Sequence, residues 1–346
     1  MEIRSLPRLE AACSELREGL SRHCRLSPGQ GWADPLGKHR VVCGDACDPT
    51  AVAHLMQSER AGLAVHDPPY NFLVFESRSA GDYVAWCRAW VRLTFDSMLD
   101  DAALYVWMGA DQSDWFQPLP DFMLLMRETD FRSRSFITMR NQRGYGTQKN
   151  WMAVRQELLY YTKGSPDFDV AAEYTNIPKI LRGYYKEIGG RLTENLERGR
   201  SENIRAGNVW VDLQQVFYRL EENVHGCYAQ KPLRAVERII AASCRPGGLV
   251  IDWFGHSGTT LLAAERLGRR CFTMDIDPLF CEITIRRLER FRSEGRTGWQ
   301  AGHPFECEEQ ADSRLAEILA ASRKRGGVVQ PTPIKREDLF SLPEQL

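Results

Sequence analysis

The run His66-Asp67-Pro68-Pro69-Tyr70-Asn71 puts a carboxylate, two rigid backbone units and an aromatic ring on neighbouring residues. Proline fixes its own φ and restricts the residue before it, so the carbonyls of such a loop point in set directions. A carboxylate and a fixed carbonyl can accept hydrogen bonds from both N–H groups of one amine. That draws the lone pair of a conjugated amine out of its ring system and leaves it nucleophilic. The catalysis is electrostatic and geometric, with no covalent step. The ring of Tyr70 offers a face on which a base turned out of its stack can lie. A plain Asp-Pro turn at a strand end has the same letters, so the motif takes its meaning from what accompanies it.

Its companion is Val250-Ile251-Asp252-Trp253-Phe254-Gly255-His256-Ser257-Gly258-Thr259-Thr260, an apolar strand that passes through a glycine turn into a helix. Glycine is needed where a bound molecule approaches the backbone. The next strand ends at Met274-Asp275-Ile276-Asp277-Pro278. An acid at that point is where folds that bind nucleoside cofactors hold a ribose diol. Asp277, just before a proline, reads as a helix cap. On these residues alone a dehydrogenase and a methyltransferase are both open.

Elements of the right kind surround both motifs. Strands are predicted at 40–43, 62–66, 103–108, 135–139 and 157–161, with helices over 48–56 and 82–99. The rhythm resumes with a helix over 231–245, a strand at 249–254, a helix over 259–267, a strand at 270–275 and a helix over 278–292. Short apolar strands alternating with helices predict an α/β fold with a doubly wound, mostly parallel sheet. Residues 164–207 break the rhythm and read as a polar, irregular insertion. The expected division is an N-terminal arm over 1–31, a first half over 32–163, the insertion over 164–207, a second half over 208–300 and a charged, peripheral tail over 301–346.

Composition narrows the classes. The 346 residues are 43% hydrophobic and carry a formal net charge of -1, so a nucleic-acid partner needs a local basic face and not a basic coat. No apolar run is long enough to span a bilayer, and the first residues lack an apolar signal core, so a cytoplasmic protein is expected. None of the ten cysteines sits in a Cys-x-x-Cys pair, so no metal site is expected and the cysteines read as small buried hydrophobes.

Taken together, and in this order, the motifs resemble those of the permuted DNA amino-methyltransferases, the β group, in which the catalytic motif precedes the cofactor motif. The resemblance spans roughly residues 32–295. It includes Leu36-Gly37-Lys38-His39-Arg40-Val41-Val42-Cys43-Gly44-Asp45 before the catalytic strand and Gln230-Lys231-Pro232 before a helix. It implies a Rossmann-like methyltransferase sheet, S-adenosylmethionine as cofactor, no metal, and double-stranded DNA as partner. It further implies that Asp67, Pro68, Pro69 and Tyr70 hold the target amine and base. Cofactor contacts are implied for Asp45, Asp67, Lys231, Asp252, Phe254, Gly255, His256, Ser257, Gly258, Thr259, Asp275 and Ile276, with Asp45 near the adenine.

Two positions depart from the family pattern. His256 stands where the first glycine of the turn is usual, where a side chain either crowds the methionine part of the cofactor or, with Gly255 beside it, is a tolerated turn variant, the preferred reading; Asp275 is one methylene shorter than the usual Glu and can still accept from a ribose hydroxyl. The insertion falls where this family reads its target. Lys179, Arg182, Lys186, Arg191, Arg198, Arg200 and Arg205 there, with Arg140 and Arg143 in the basic loop after the strand at 135–139, are the expected DNA contacts. Adenine N6 is the first choice of target, since Asp before Pro-Pro-Tyr is the family's usual adenine variant, and cytosine N4 is the runner-up. An RNA base amino-methyltransferase and a catalytically weak DNA-binding protein with this fold are the further alternatives. A cognate restriction enzyme and a homodimer are implied by the resemblance alone.

Overall fold

A computed structural model describes residues 5–9, 12–69, 80–109, 118–145, 153–179, 185–194, 201–213, 215–216, 220–228, 230–300 and 302–325. Its main sheet grows from β2 (His39–Cys43), β3 (Ala61–His66), β4 (Met98–Met108), β12 (Leu249–Asp252) and β13 (Arg270–Asp275), all parallel, in the order β2-β13-β12-β3-β4. Beyond β4 comes β6 (Ala153–Lys163), antiparallel both to β4 and to its other neighbour β5 (Arg132–Tyr145). The short β1 (Gly31–Ala33) and β11 (Val209–Trp210) close the two edges. The sheet is thus parallel through its centre, where the two motifs lie, and mixed at its margins.

Both faces of the sheet are covered, which is why its central strands read as continuous apolar runs and not as alternating ones. Adjacent residues serve opposite cores. On β12, Ile251 packs with Trp90, Phe122 and Phe272, while Val250 packs with Ile239, Leu262 and Ile285. The first core is roofed by α2 (Pro49–Met56), α3 (Ala80–Asp96) and α4 (Pro118–Met126). The second is roofed by α5 (Leu233–Ser243), α6 (Thr259–Arg266) and α7 (Pro278–Glu294). The predicted caps form: Asp48 accepts from the Thr50 N–H at 2.8 Å and Asp277 from the Leu279 N–H at 3.0 Å, each with proline in the first turn.

Three expectations are corrected. Residues 5–9 and 12–31 are not a separate arm, and 302–325 are not a peripheral tail. Helices α1 (Ser14–Ser21), α8 (Glu306–Ala311) and α9 (Ser313–Arg325) form a layer over the outer side of α7. Leu16, Leu20, Ile283, Phe305, Leu315 and Leu319 are buried within it. Arg323 donates to the Ser5 carbonyl at 2.7 Å, tying the two terminal segments together. Nor is the insertion irregular throughout. It contains the pair β7 (Tyr174–Pro178) and β10 (Asn203–Arg205), and a hairpin of β8 (Tyr185–Ile188) and β9 (Arg191–Glu194). The hairpin turns through Gly189 and Gly190, both at positive φ, as a two-residue hairpin connection requires.

Candidate active site

The site lies at the carboxyl ends of β3, β4, β12 and β13, where open α/β sheets bind their ligands. β3 delivers Asp67. Its side chain is about a quarter exposed, and its Oδ2 accepts from Lys231 Nζ at 2.7 Å. Burial pushes the Asp67 carboxyl above the usual aspartate range, and the Lys231 ammonium opposes that rise. Lys231 itself is buried, and its ammonium lies 5.3 Å from the centre of the Trp107 ring. Its two neighbours explain why it is held there. Gln230 accepts from the Val224 N–H and donates to the Glu222 carbonyl, while Pro232 caps α5. The lysine is left to reach across to the end of β3.

β12 delivers the turn. Asp252 is buried and spends its Oδ1 on the Phe254 N–H at 2.9 Å, so its work is to shape the turn. Gly255 donates its N–H to the Met274 carbonyl at 2.8 Å, and a Cβ there would lie 2.7 Å from Thr273 Oγ1. His256 follows at φ 44°, a conformation that side chains other than glycine seldom adopt. Its ring is tilted against Phe280 of α7, with centroids 4.6 Å apart. Gly258, at φ 74°, caps α6, and a Cβ there would meet Thr284 of α7 at 3.0 Å. Beneath the turn, fully buried Arg287 donates to the Ser257 carbonyl at 2.8 Å and to Thr259 Oγ1 at 3.1 Å.

β13 delivers Asp275. Its two oxygens accept from the backbone N–H groups of Asp277 and His256, at 3.0 and 2.8 Å. Burial raises its pKa to about 6, against the pull of those two amides.

Asp67, Lys231, Asp252, Phe254, Gly255, His256, Ser257 and Thr259 come together around one cleft of about 330 Å³, solvent at its mouth included. Gly258 is not on its wall, because it serves the contact of α6 with α7. Asp45, Asp275, Ile276, Pro68 and Pro69 are not on that wall either. Asp45 is exposed at the end of β2 and accepts from the Cys47 N–H at 2.8 Å, and Ile276 is 68% exposed. Tyr70 lies outside the described residues, as do Arg182, Arg198 and Arg200. For Arg143 and Lys186 only the backbone is described. Arg140, Arg191 and Arg205 are exposed, whereas Lys179 gives its ammonium to the Ser201 carbonyl and braces the insertion from within. Val65, Trp107, Val236 and Thr260 also line the cleft and were not foreseen. Trp107 had one usable signal, its place at the end of the strand beside β3.

Comparison with known proteins gives the family. The model of a DNA methylase family, the N6/N4 methyltransferases, matches residues 61–286. The chain belongs to this family of DNA methylases. Among its relatives, the DNA adenine methyltransferase YhdJ of Escherichia coli (strain K12) is 37% identical over 254 residues, covering 72% of this chain and 82% of its own. The type II methyltransferase M1.MboII of Moraxella bovis is 28% identical over 69% of this chain and 91% of its own. The solved cytosine-N4-specific PvuII DNA methyltransferase shares the fold, with a TM-score of 0.53 and 14% identity over 82% of this chain and 93% of its own.

The methyl donor of the family is S-adenosylmethionine, and the methylase has the residues to receive it. Gly255 lines the cleft with no side chain of its own, an acid ends β13, and Ile276 next to it is an exposed apolar residue. Among the described residues, no three His, Cys, Asp or Glu side chains are placed to hold a metal ion, and no helix is long and apolar enough to cross a membrane.

Proposed function

We propose that this methylase transfers a methyl group to the N6 amine of an adenine turned out of duplex DNA. The observation that carries the reading is the Asp67–Lys231 pair at the mouth of the cleft. S-adenosylmethionine, when bound, supplies an electrophilic sulfonium methyl group. The residues of the chain do the rest. Asp67 accepts one N–H of the target amine, and a carbonyl of the Pro68-Pro69 segment accepts the other. Lys231 keeps Asp67 ionised against its burial, so the carboxylate accepts and does not donate. Both hydrogen bonds strengthen as the nitrogen becomes tetrahedral, which makes them worth more in the transition state than in the ground state. Tyr70 stacks on the base. The turn at 254–256 and the acid Asp275 hold the donor, with Asp45 and Ile276 beside its adenine. Arg140, Arg191 and Arg205 contact phosphates, together with Arg143, Arg182, Lys186, Arg198 and Arg200.

The 37% identity to a relative described as an adenine methyltransferase supports adenine over cytosine. Cytosine N4 is the second reading, and the fold shared with a cytosine-N4 enzyme favours it. Labelled methyl transfer to genomic duplex DNA, followed by nucleoside digestion and mass analysis, separates the two. N6-methyladenine is expected, and N4-methylcytosine alone would reverse the base assignment. Structured RNA added as competitor tests whether duplex DNA is the preferred polymer. A partner restriction enzyme and a homodimer belong to the same reading, and sedimentation of the purified chain tests the dimer.

A further inference from the structure

His66 immediately precedes Asp67 and is completely buried at the end of β3. Its Nε2 lies 3.0 Å from Thr94 Oγ1, and the Thr94 hydroxyl donates its own hydrogen to the Trp90 carbonyl at 2.8 Å. Thr94 therefore has only lone pairs to offer, so His66 Nε2 carries the ring hydrogen and donates it. That leaves Nδ1 as an acceptor, and the Trp253 N–H points at it from 3.3 Å. The ring also stacks on the Trp253 indole, with centroids 5.7 Å apart and planes 23° from parallel. Asp252 Oδ1, at 3.9 Å from Nδ1, is beyond hydrogen-bond reach.

The placement has a consequence for the sheet. The ladder between β3 and β12 runs through Leu63–Val250 and Ala64–Ile251. Past it the two strands lead to different tasks: one continues to Asp67, the other to the turn at 254–256. The His66 side chain takes the Trp253 amide and joins the two strand ends beyond the last pair. We propose that His66 is a positioning residue that sets the distance between the acceptor carboxylate and the cofactor turn. This rests on the reading of Asp67 and the 254–256 turn given above.

The test uses the full chain and four variants. The amide oxygen of His66→Asn reaches the place of Nδ1 and keeps the Trp253 contact. The amide of His66→Gln reaches the place of Nε2 and keeps only the Thr94 contact. His66→Phe keeps a ring and loses both contacts, and Thr94→Val removes the donor's partner alone. Each is measured for kcat and KM on duplex DNA, Kd for S-adenosylmethionine and thermal midpoint. His66→Phe should lose about a hundredfold in kcat with KM for DNA nearly unchanged, since a displacement of roughly 1 Å costs that much. His66→Asn should recover most of the loss and His66→Gln little of it, at similar thermal midpoints. Equal losses in Asn and Gln, or losses that follow the thermal midpoint through all four variants, would reduce His66 to a core residue. If the wild-type chain transfers no methyl group, that failure belongs to the functional reading. The Kd for S-adenosylmethionine and hydrogen exchange at the Trp253 amide then decide the proposal. His66→Phe should weaken the first about tenfold and accelerate the second, with both restored in His66→Asn. No change in either would overturn it.

Discussion

Asp67 and Asp275 end strands that flank β12, and burial raises the pKa of both, yet they are held in different ways. Asp275 is gripped by two backbone amides, one from its own strand end and one from the neighbouring turn. Among the described residues, Asp67 is held by the Lys231 side chain, arriving from the start of α5. Backbone amides cannot let go without unfolding the turn, whereas a side chain can turn away. On the proposed reading, the cofactor end of the site is therefore built into the fold. On the same reading the acceptor end uses the Asp67–Lys231 ion pair, whose lysine can give way to an incoming amine.

If that contrast is right, the two ends should fail differently. The largest effect is expected from Asp67→Ala, which should lower turnover by about a thousandfold, the scale seen when one preorganised electrostatic contact is removed. Affinity for S-adenosylmethionine should change only a few-fold, and a comparable loss of cofactor affinity would show that Asp67 belongs to the cofactor end. Lys231→Met should cost about a hundredfold in turnover. It also removes the charge that opposes the burial of Asp67, so the Asp67 pKa rises and the acid limb of the pH–rate profile moves to higher pH. An unmoved limb would mean that the pair does not control ionisation.

Asp275 should show the pH signature of the other end. Its folded pKa of about 6 lies above the ordinary 3.8, so the folded chain binds this proton more tightly than the unfolded one. The stability it contributes is complete below roughly pH 4 and is lost as pH rises through 6. Cofactor affinity should run the opposite way, falling roughly tenfold as the carboxylate is protonated below pH 6 and loses strength as an acceptor for a ribose hydroxyl. Calorimetric titration between pH 5 and 8 reads this directly, and Asp275→Asn should flatten the dependence. The smallest effect is expected at His256. Its ring packs on Phe280, so His256→Gly should alter cofactor affinity less than about threefold while removing a left-handed strain of order 1 kcal/mol. A large gain in affinity would show instead that the side chain crowds the cleft.

Much of this site could be read from the sequence because its parts are local. A strand, a turn and a helix start lie within Val250–Thr260, and their order fixes which residues face the cleft. The acid after β3 and the acid that ends β13 are legible for the same reason. Trp107 and Val236 were not, because they reach the cleft through the packing of β4 and α5, which no local spacing records. The hairpin of β8 and β9 escaped because its residues 187, 188, 191 and 192 are all exposed. Ile188 is 60% and Leu192 73% exposed, so no alternation of buried and solvated residues marks those strands. The packing of α1 escaped because the face it covers, Leu279, Phe280 and Ile283 of α7, is more than two hundred residues away in the chain.

The pairing of β3 with β12 also sets a timetable. Leu63 waits for Val250, about 190 residues later. At the usual pace of synthesis, that is on the order of 10 to 40 s during which one edge of β3 has no strand beside it. Its other edge meets β4 far sooner, which gives the first half of the sheet a nucleus before the second half exists. A ribosome paused between the two halves would leave an open sheet edge that invites pairing with another chain. For this methylase the order of motifs along the chain is therefore also a matter of nascent-chain aggregation.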